Sequence, residues 1–132
     1  MIFAPANSPT APKVQSVLVL SHDPVLRLGI SEFLRGHDCI VRTARTIEQA
    51  LEKIRETAPN VLLLDDAFAM ADRWPAQTLQ RISPPTAIVV LGERSRSRSL
   101  ADAPVLEKPI RPEHLLTTVR KAAKHAAVQS GA

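Results

Sequence analysis

The chain has 132 residues, of which 45% are hydrophobic, and this suffices for one compact domain with a single core rather than for two domains. Its 17 basic and 13 acidic side chains give a formal net charge of +4, a modest excess that fits a solvated surface or an acidic partner without indicating nucleic acid. One cysteine cannot form an intramolecular disulfide, and no apolar run approaches the roughly 20 residues of a membrane span, so a cytoplasmic protein without membrane contact is expected.

The two ends of the chain differ from its middle. Residues 1–13 contain three prolines among small polar residues and show no apolar period, which predicts a flexible N-terminal arm. The folded domain is expected over residues 14–126, with a flexible tail over 127–132.

The middle of the chain alternates short aliphatic runs with amphipathic stretches. Aspartate followed by proline at 23 and 24 predicts the start of the first helix. Where a fourth helix is due, SRSRSLAD at 95–102 lacks both the length and the apolar stripe, so that helix is expected to be shortened or missing. Strands are predicted at 14–20, 39–44, 60–65, 86–92 and within 103–109, and helices at 24–36, 46–58, 75–82 and 111–126. Strands alternating with helices predict an α/β fold around a parallel sheet with right-handed crossovers.

Polar residues follow the predicted strands at their carboxyl ends, where ligands collect in parallel sheets. An acid and an amine on neighbouring loops make this edge the candidate site. The residues concerned are Ser21, His22, Asp23, Asp65, Asp66, Gly92 and Lys108.

Four of these strand ends, read in order, resemble a known family. VLVLSHDP, PNVLLLDD, AIVVLGE and VLEKP are similar to the strand ends of the response-regulator receiver domain of two-component signalling, over about residues 14 to 125. The resemblance implies a flavodoxin-like doubly wound five-stranded parallel sheet with helices on both faces. It also implies that Asp65 is the phospho-acceptor and that Lys108, followed by proline, is the phosphate-binding lysine.

Two positions depart from the receiver pattern at the metal pocket. The acidic pair after the first strand falls on Ser21 and His22, so the pocket lacks two negative charges. Mg²⁺ prefers hard oxygen ligands, and Asp65 with Asp23 is expected to hold it only weakly. A protonated His22 could instead pair with Asp65, or its imidazole could ligate a transition metal there.

The residues of the receiver switch also differ. Gly92 stands where receivers keep a serine or threonine, and Val105 stands where they keep an aromatic residue. Both halves of the usual switch are therefore absent, which favours an atypical receiver or pseudo-receiver.

Several residues have a second interpretation that involves no ligand. Asp65 and Lys108 could form a salt bridge that only stabilises the end of the sheet, and Asp66 is interpreted as a solvated turn residue or helix cap. Arg94, Arg96 and Arg98 could clamp a phosphate or an acidic helix, but a solvated loop is the favoured interpretation.

Three functions follow from these alternatives. The leading prediction is a non-enzymatic interaction module that contacts a histidine kinase, a phosphotransfer protein, another signalling protein or a second copy of itself through the segment between the fourth and fifth strands and the last helix. The second is a phosphorylation-competent receiver that uses Asp65 with weakly bound Mg²⁺. The third is a sensor of a small molecule or metal at His22, Asp65 and Lys108.

Overall fold

The computed structural model describes residues 15–66, 86–92 and 104–131, with side chains as far as residue 124. The predicted arm at 1–13, the helix at 75–82 and the arginine-serine segment at 94–102 lie outside the described residues. The described elements are β1 (Gln15–Leu20), α1 (Pro24–Arg35), β2 (Cys39–Ala44), α2 (Ile47–Thr57), β3 (Val61–Asp65), β4 (Ala87–Gly92), β5 (Val105–Glu107) and α3 (Pro112–Gly131).

The five strands form one parallel sheet in the order β2-β1-β3-β4-β5. This confirms the predicted flavodoxin-like sheet. The chain runs from β1 outward to β2 and then returns to place β3 on the other side of β1. The strand order therefore reverses between β1 and β3, and the carboxyl ends of these two strands border the crevice where such sheets bind ligands.

Alternate residues of each strand face opposite sides of the sheet and build two cores. Val17 and Val19 of β1 belong to the cluster packed by α1 and α3, whereas Leu18 and Leu20 belong to the cluster packed by α2. Because both faces are covered, the strands read as continuous apolar runs rather than as alternating ones.

The helices begin where the sequence predicts. Asp23 caps α1, since its Oδ1 accepts hydrogen bonds from the backbone N–H groups of Val25 and Leu26 at 2.9 and 3.3 Å. Thr46 caps α2, since its Oγ1 accepts the N–H of Gln49 at 3.1 Å. These caps fix where each crossover leaves the carboxyl edge of the sheet.

Helix α3 packs its predicted stripe on the sheet but runs further than predicted. Leu115, Val119 and Ala123 are buried in the α1 and α3 cluster. The helix continues to Gly131, and so includes residues 127–131, which were predicted to form a tail. Residues 127–129 are alanine, valine and glutamine, which contain no helix breaker, and the helix continues through Ser130 and ends at Gly131, a weak helix former. Within the described part of the chain, no helix is both long enough and apolar enough to cross a bilayer.

Truncation of Leu63 is expected to destabilise the domain strongly. Leu63 lies on the central strand β3 and is fully buried, so Leu63→Ala should lower the free energy of unfolding by about 2 to 5 kcal/mol. Ile40→Ala is the matched control, because Ile40 is 52% exposed on the edge strand and should cost less than about 1 kcal/mol. Urea denaturation monitored by circular dichroism measures both. Equal losses in the two variants would contradict the described core.

Candidate functional site

The candidate site lies at the carboxyl edge of the sheet, where β1, β3 and β5 end. Asp65 is the last residue of β3, Ser21 follows β1, and Lys108 follows β5. Ser21 is fully buried and Asp65 is 5% exposed, whereas the Lys108 side chain is 41% exposed. The sheet therefore presents a buried carboxylate beneath a half-solvated ammonium group.

Both carboxylate oxygens of Asp65 accept hydrogen bonds from side chains. Ser21 Oγ donates to Asp65 Oδ2 at 2.7 Å, and Lys108 Nζ donates to Asp65 Oδ1 at 3.1 Å. A neutral hydroxyl thus holds one oxygen and a cation holds the other. Such charge-assisted bonds offset the cost of burying the carboxylate.

Three further hydrogen bonds hold Ser21 in place. The backbone N–H of Asp23 donates to Ser21 Oγ at 3.0 Å, and Arg27 Nη1 of α1 donates to the Ser21 carbonyl oxygen at 2.7 Å. The Ser21 N–H donates to Ala44 O at the end of β2. The hydroxyl is therefore oriented so that its own proton points to Asp65.

The residues predicted around Ser21 take different positions. His22 is exposed at the end of β1. Asp23 is also exposed, and its Oδ1 is used for the cap of α1. Asp65 and Lys108, predicted to meet, are in contact, and their shared geometry fits either the phosphate-site interpretation or the salt-bridge interpretation.

Asp66 corrects the sequence analysis. It was interpreted as a solvated turn residue or helix cap. The solvated interpretation is wrong, because Asp66 is 7% exposed and its Oδ1 lies 4.0 Å from Lys108 Nζ, whereas the residues that a cap at Asp66 would serve lie outside the described range. The pairing of Asp65 with Leu91 places Asp66 beside Gly92. A Cβ built on Gly92 would lie 2.6 Å from Asp66 Cβ and would overlap the Asp66 carboxylate. The Asp66 side chain therefore fills the space that a side chain at residue 92 would need.

Gly92 meets this constraint in two ways. It has no side chain to collide with Asp66, and its φ of +152° belongs to the region that side chains disfavour. The sequence contained a signal for this arrangement, namely a glycine at the strand end next to the strand that carries a second acid. Sequence reasoning treated the two features separately.

Comparison with solved structures identifies the fold. NtrX from Brucella abortus in complex with ADP superimposes with a TM-score of 0.74 at 17% identity, over 90% of this chain and 28% of that one. A CheY-like receiver domain protein from Methanospirillum hungatei gives 0.73 at 15% identity, over 89% and 99%. The beryllofluoride-activated NtrC4 receiver domain dimer gives 0.68 at 22% identity, over 84% and 98%.

The chain has the fold of response-regulator receiver domains. It spans less than a third of the NtrX chain and nearly all of the two shorter structures. No family model matches the sequence, and no curated protein matches it.

The receiver fold implies a Mg²⁺ ion at the acidic pocket, and the oxygen ligands at the end of β3 determine whether the ion fits there. Mg²⁺ requires near-octahedral oxygen ligands, usually with one or two carboxylates. Here the two oxygens of Asp65 face Ser21 Oγ and Lys108 Nζ, and the acidic pair is replaced by a serine and a histidine. Among the described residues, no group of three histidine, cysteine, aspartate or glutamate side chains could hold a metal. The described residues therefore fit the ion poorly, because Asp65 is held by Ser21 and Lys108 and the Asp66 carboxylate lies beside the same lysine.

Restoring the receiver hydroxyl at residue 92 is expected to destabilise the domain. Gly92→Ser places a Cβ on the Asp66 side chain and imposes an unfavourable φ, which should cost about 2 kcal/mol or more. Asp66→Ala in the same chain removes the carboxylate but keeps the Asp66 Cβ, so it should recover the part of the steric cost that comes from the carboxylate, giving a coupling free energy of about 1 kcal/mol or more. Urea denaturation of the wild type, both single variants and the double variant measures this coupling.

Gly29→Ser provides the control for that cycle. A Cβ on Gly29 meets nothing within 4 Å, so this variant should be near neutral and show no coupling to Asp66→Ala. Additive effects of Gly92→Ser and Asp66→Ala would show that the two side-chain positions do not compete for space.

Proposed function

We propose that the chain is an atypical receiver domain that acts in two-component or phosphorelay signalling mainly by binding another protein, and that it turns over no outside substrate. The observation that carries this proposal is the closed arrangement around Asp65. Ser21 and Lys108 occupy its two oxygens, and Asp66 fills the space above Gly92.

Phosphoryl transfer to a carboxylate depends on positioning and on neutralising the charge that spreads over the transferred oxygens. A free carboxylate oxygen must face the incoming phosphorus atom, and cations and donors must surround the group. At Asp65 the Ser21 hydroxyl donates to Oδ2, which draws electron density from the oxygen that would otherwise be nucleophilic. Lys108 supplies one positive charge, but a second carboxylate, that of Asp66, lies 4.0 Å from the same ammonium group.

The usual means of passing a phosphorylation signal to the surface is also missing. Gly92 has no hydroxyl to follow a phosphoryl oxygen, and the fully aliphatic Val105 packs half-buried against the α2 side of the sheet. A phosphoryl group on Asp65 would therefore have no hydroxyl and aromatic pair to rearrange. Signalling through a constitutive surface fits these residues better than a phosphorylation switch.

The partner surface proposed here includes α3 and the segment between β4 and β5. The exposed side of α3 carries several basic residues, which fits an acidic protein surface. These exposed residues are Arg120, Lys121 and Lys124. A histidine kinase, a phosphotransfer protein or another receiver are the partners proposed, and a second copy of the chain is included because NtrC4 was solved as a receiver domain dimer.

Phospho-acceptance at Asp65 is the second candidate function. The contact of 3.1 Å between Lys108 Nζ and Asp65 Oδ1, at the carboxyl edge of a receiver fold, favours it. In that function Ser21 would release Oδ2 before the acceptor reacts. No described contact favours the metal or small-molecule sensor at this crevice to the same degree.

Amide NMR titration with Mg²⁺ and beryllofluoride, a mimic of the aspartyl phosphate, separates the two candidates. The interaction-module proposal predicts no saturable shift at Asp65, Gly92 or Lys108 at millimolar ligand, because Ser21 and Lys108 hold the carboxylate and the acidic pair is missing. Ser21→Asp combined with His22→Asp restores that pair and is expected to produce saturable shifts. Saturable shifts in the wild type, absent in Asp65→Asn, would instead establish the phospho-acceptor.

A further inference from the structure

A groove lies between helix α1 and the edge strand β2, on the face of the sheet that carries α1 and α3. Its volume is about 280 Å³, and it is open to solvent because β2 is the last strand on that side. We call it the α1–β2 groove. It is lined by Pro24, Arg27, Leu28, Ser31 and Arg35 of α1 and by Thr43 of β2.

Ser31 at the middle of this groove is an unsatisfied polar residue. It is 2% exposed, and its Oγ has no hydrogen-bond partner among the described residues. A serine within a helix commonly bonds to the carbonyl of the preceding turn, but Ser31 does not. A buried hydroxyl without a partner is unfavourable, and a ligand that supplies an acceptor would remove that cost.

Two arginines stand at the two ends of the groove. Arg27 Nη1 donates to Ser21 O at 2.7 Å, and Arg35 Nη2 donates to Val41 O at 2.9 Å. Within the described ranges no carboxylate lies within ion-pair distance of either guanidinium. Each guanidinium has five N–H donors, so both keep donors for another acceptor.

The separation of the two arginines defines the length of the ligand. Residues 27 and 35 are two helical turns apart, about 12 Å along the axis at 1.5 Å per residue. Their anchoring carbonyls, on Ser21 and Val41, are about four residues apart along the paired strands, or about 13 Å. One small anion would reach only one guanidinium, whereas an elongated molecule with an acid at each end could reach both.

We propose that the α1–β2 groove binds an extended small-molecule dianion whose two acidic groups lie on the order of 10 Å apart and pair with Arg27 and Arg35. Ser31 Oγ donates to a polar atom in the middle of a ligand that has one, such as a sugar bisphosphate, and Leu28 contacts the methylene groups of a ligand such as a long dicarboxylate. Dicarboxylates and bisphosphates share this chemistry. The proposal is independent of whether Asp65 accepts a phosphoryl group.

Amide NMR titration of the full chain with two dianions and two monoanions tests the proposal. Suberate represents the dicarboxylates and fructose 1,6-bisphosphate the bisphosphates, with acetate and inorganic phosphate as their single-acid counterparts. At least one dianion is expected to give saturable shifts at Arg27, Ser31 and Thr43, with a Kd at least tenfold below that of its monoanion. The dianion that binds identifies the acid class. Equal affinities of dianions and monoanions, or no saturable shift with any of the four, would overturn the proposal.

Variants assign the binding to the groove. Arg35→Gln and Arg27→Gln should each remove the advantage of the dianion. Ser31→Ala should weaken the binding of fructose 1,6-bisphosphate several-fold and leave that of suberate unchanged, with the fold intact, since it removes an unsatisfied hydroxyl. Arg42→Gln is the matched charge control, because Arg42 is exposed and its strand position faces the α2 side of the sheet. It should bind the dianion as the wild type does.

If Arg27→Gln unfolds, Arg35→Gln and Ser31→Ala still test whether the dianion binds in the α1–β2 groove. If Arg42→Gln loses as much affinity as the groove variants, the binding depends on net charge alone and the proposal is wrong.

Discussion

The burial of the Asp65 carboxylate at the end of an apolar sheet is the constraint on which the site depends. A charge removed from water at the end of β3 is tolerated only when its oxygens are hydrogen-bonded and its charge is balanced. Ser21 Oγ and Lys108 Nζ meet these two needs, one from β1 and one from β5. The hydrogen bonds from Ser21 and Lys108 stabilise the strand ends and also occupy both oxygens of Asp65. A change that frees Asp65 for chemistry therefore also removes part of the structure around it.

Asp66 and Gly92 form a second constraint that belongs to the same edge. The parallel register between β3 and β4 brings these two positions side by side, so the volume of one side chain is available only when the other is small. The glycine that appears, from the sequence, to be the loss of a functional hydroxyl is also the residue that lets a second acid be buried. The burial of Asp66 and the absence of a side chain at residue 92 are thus one structural arrangement rather than two independent features.

The sequence was sufficient for features that depend on local pattern. The apolar runs predicted the strands, and Asp23 caps the first helix as predicted, while the second helix begins one residue after the predicted start, with Thr46 as its cap. The order of the strand ends along the chain predicted that Asp65 and Lys108 lie close together. Features that depend on the third dimension were not predicted. The hydroxyl of Ser21 donates to Asp65, a contact that the sequence analysis did not consider. The burial of Asp66 depends on a neighbouring strand, and the extension of α3 to Gly131 depends on a helix continuing where composition suggested a tail.

Arg27 connects the α1–β2 groove to the site at Asp65. Its guanidinium lines the groove and donates to the carbonyl of Ser21, and the hydroxyl of the same serine donates to Asp65. One residue therefore lies between the proposed anion groove and the buried carboxylate of Asp65. An anion bound at Arg27 would therefore be separated from the Asp65 carboxylate only by Arg27 and Ser21 and the two hydrogen bonds that they make. Because equilibrium coupling between two sites is reciprocal, the dependence of groove affinity on the state of Asp65 must equal the dependence of Asp65 on groove occupancy.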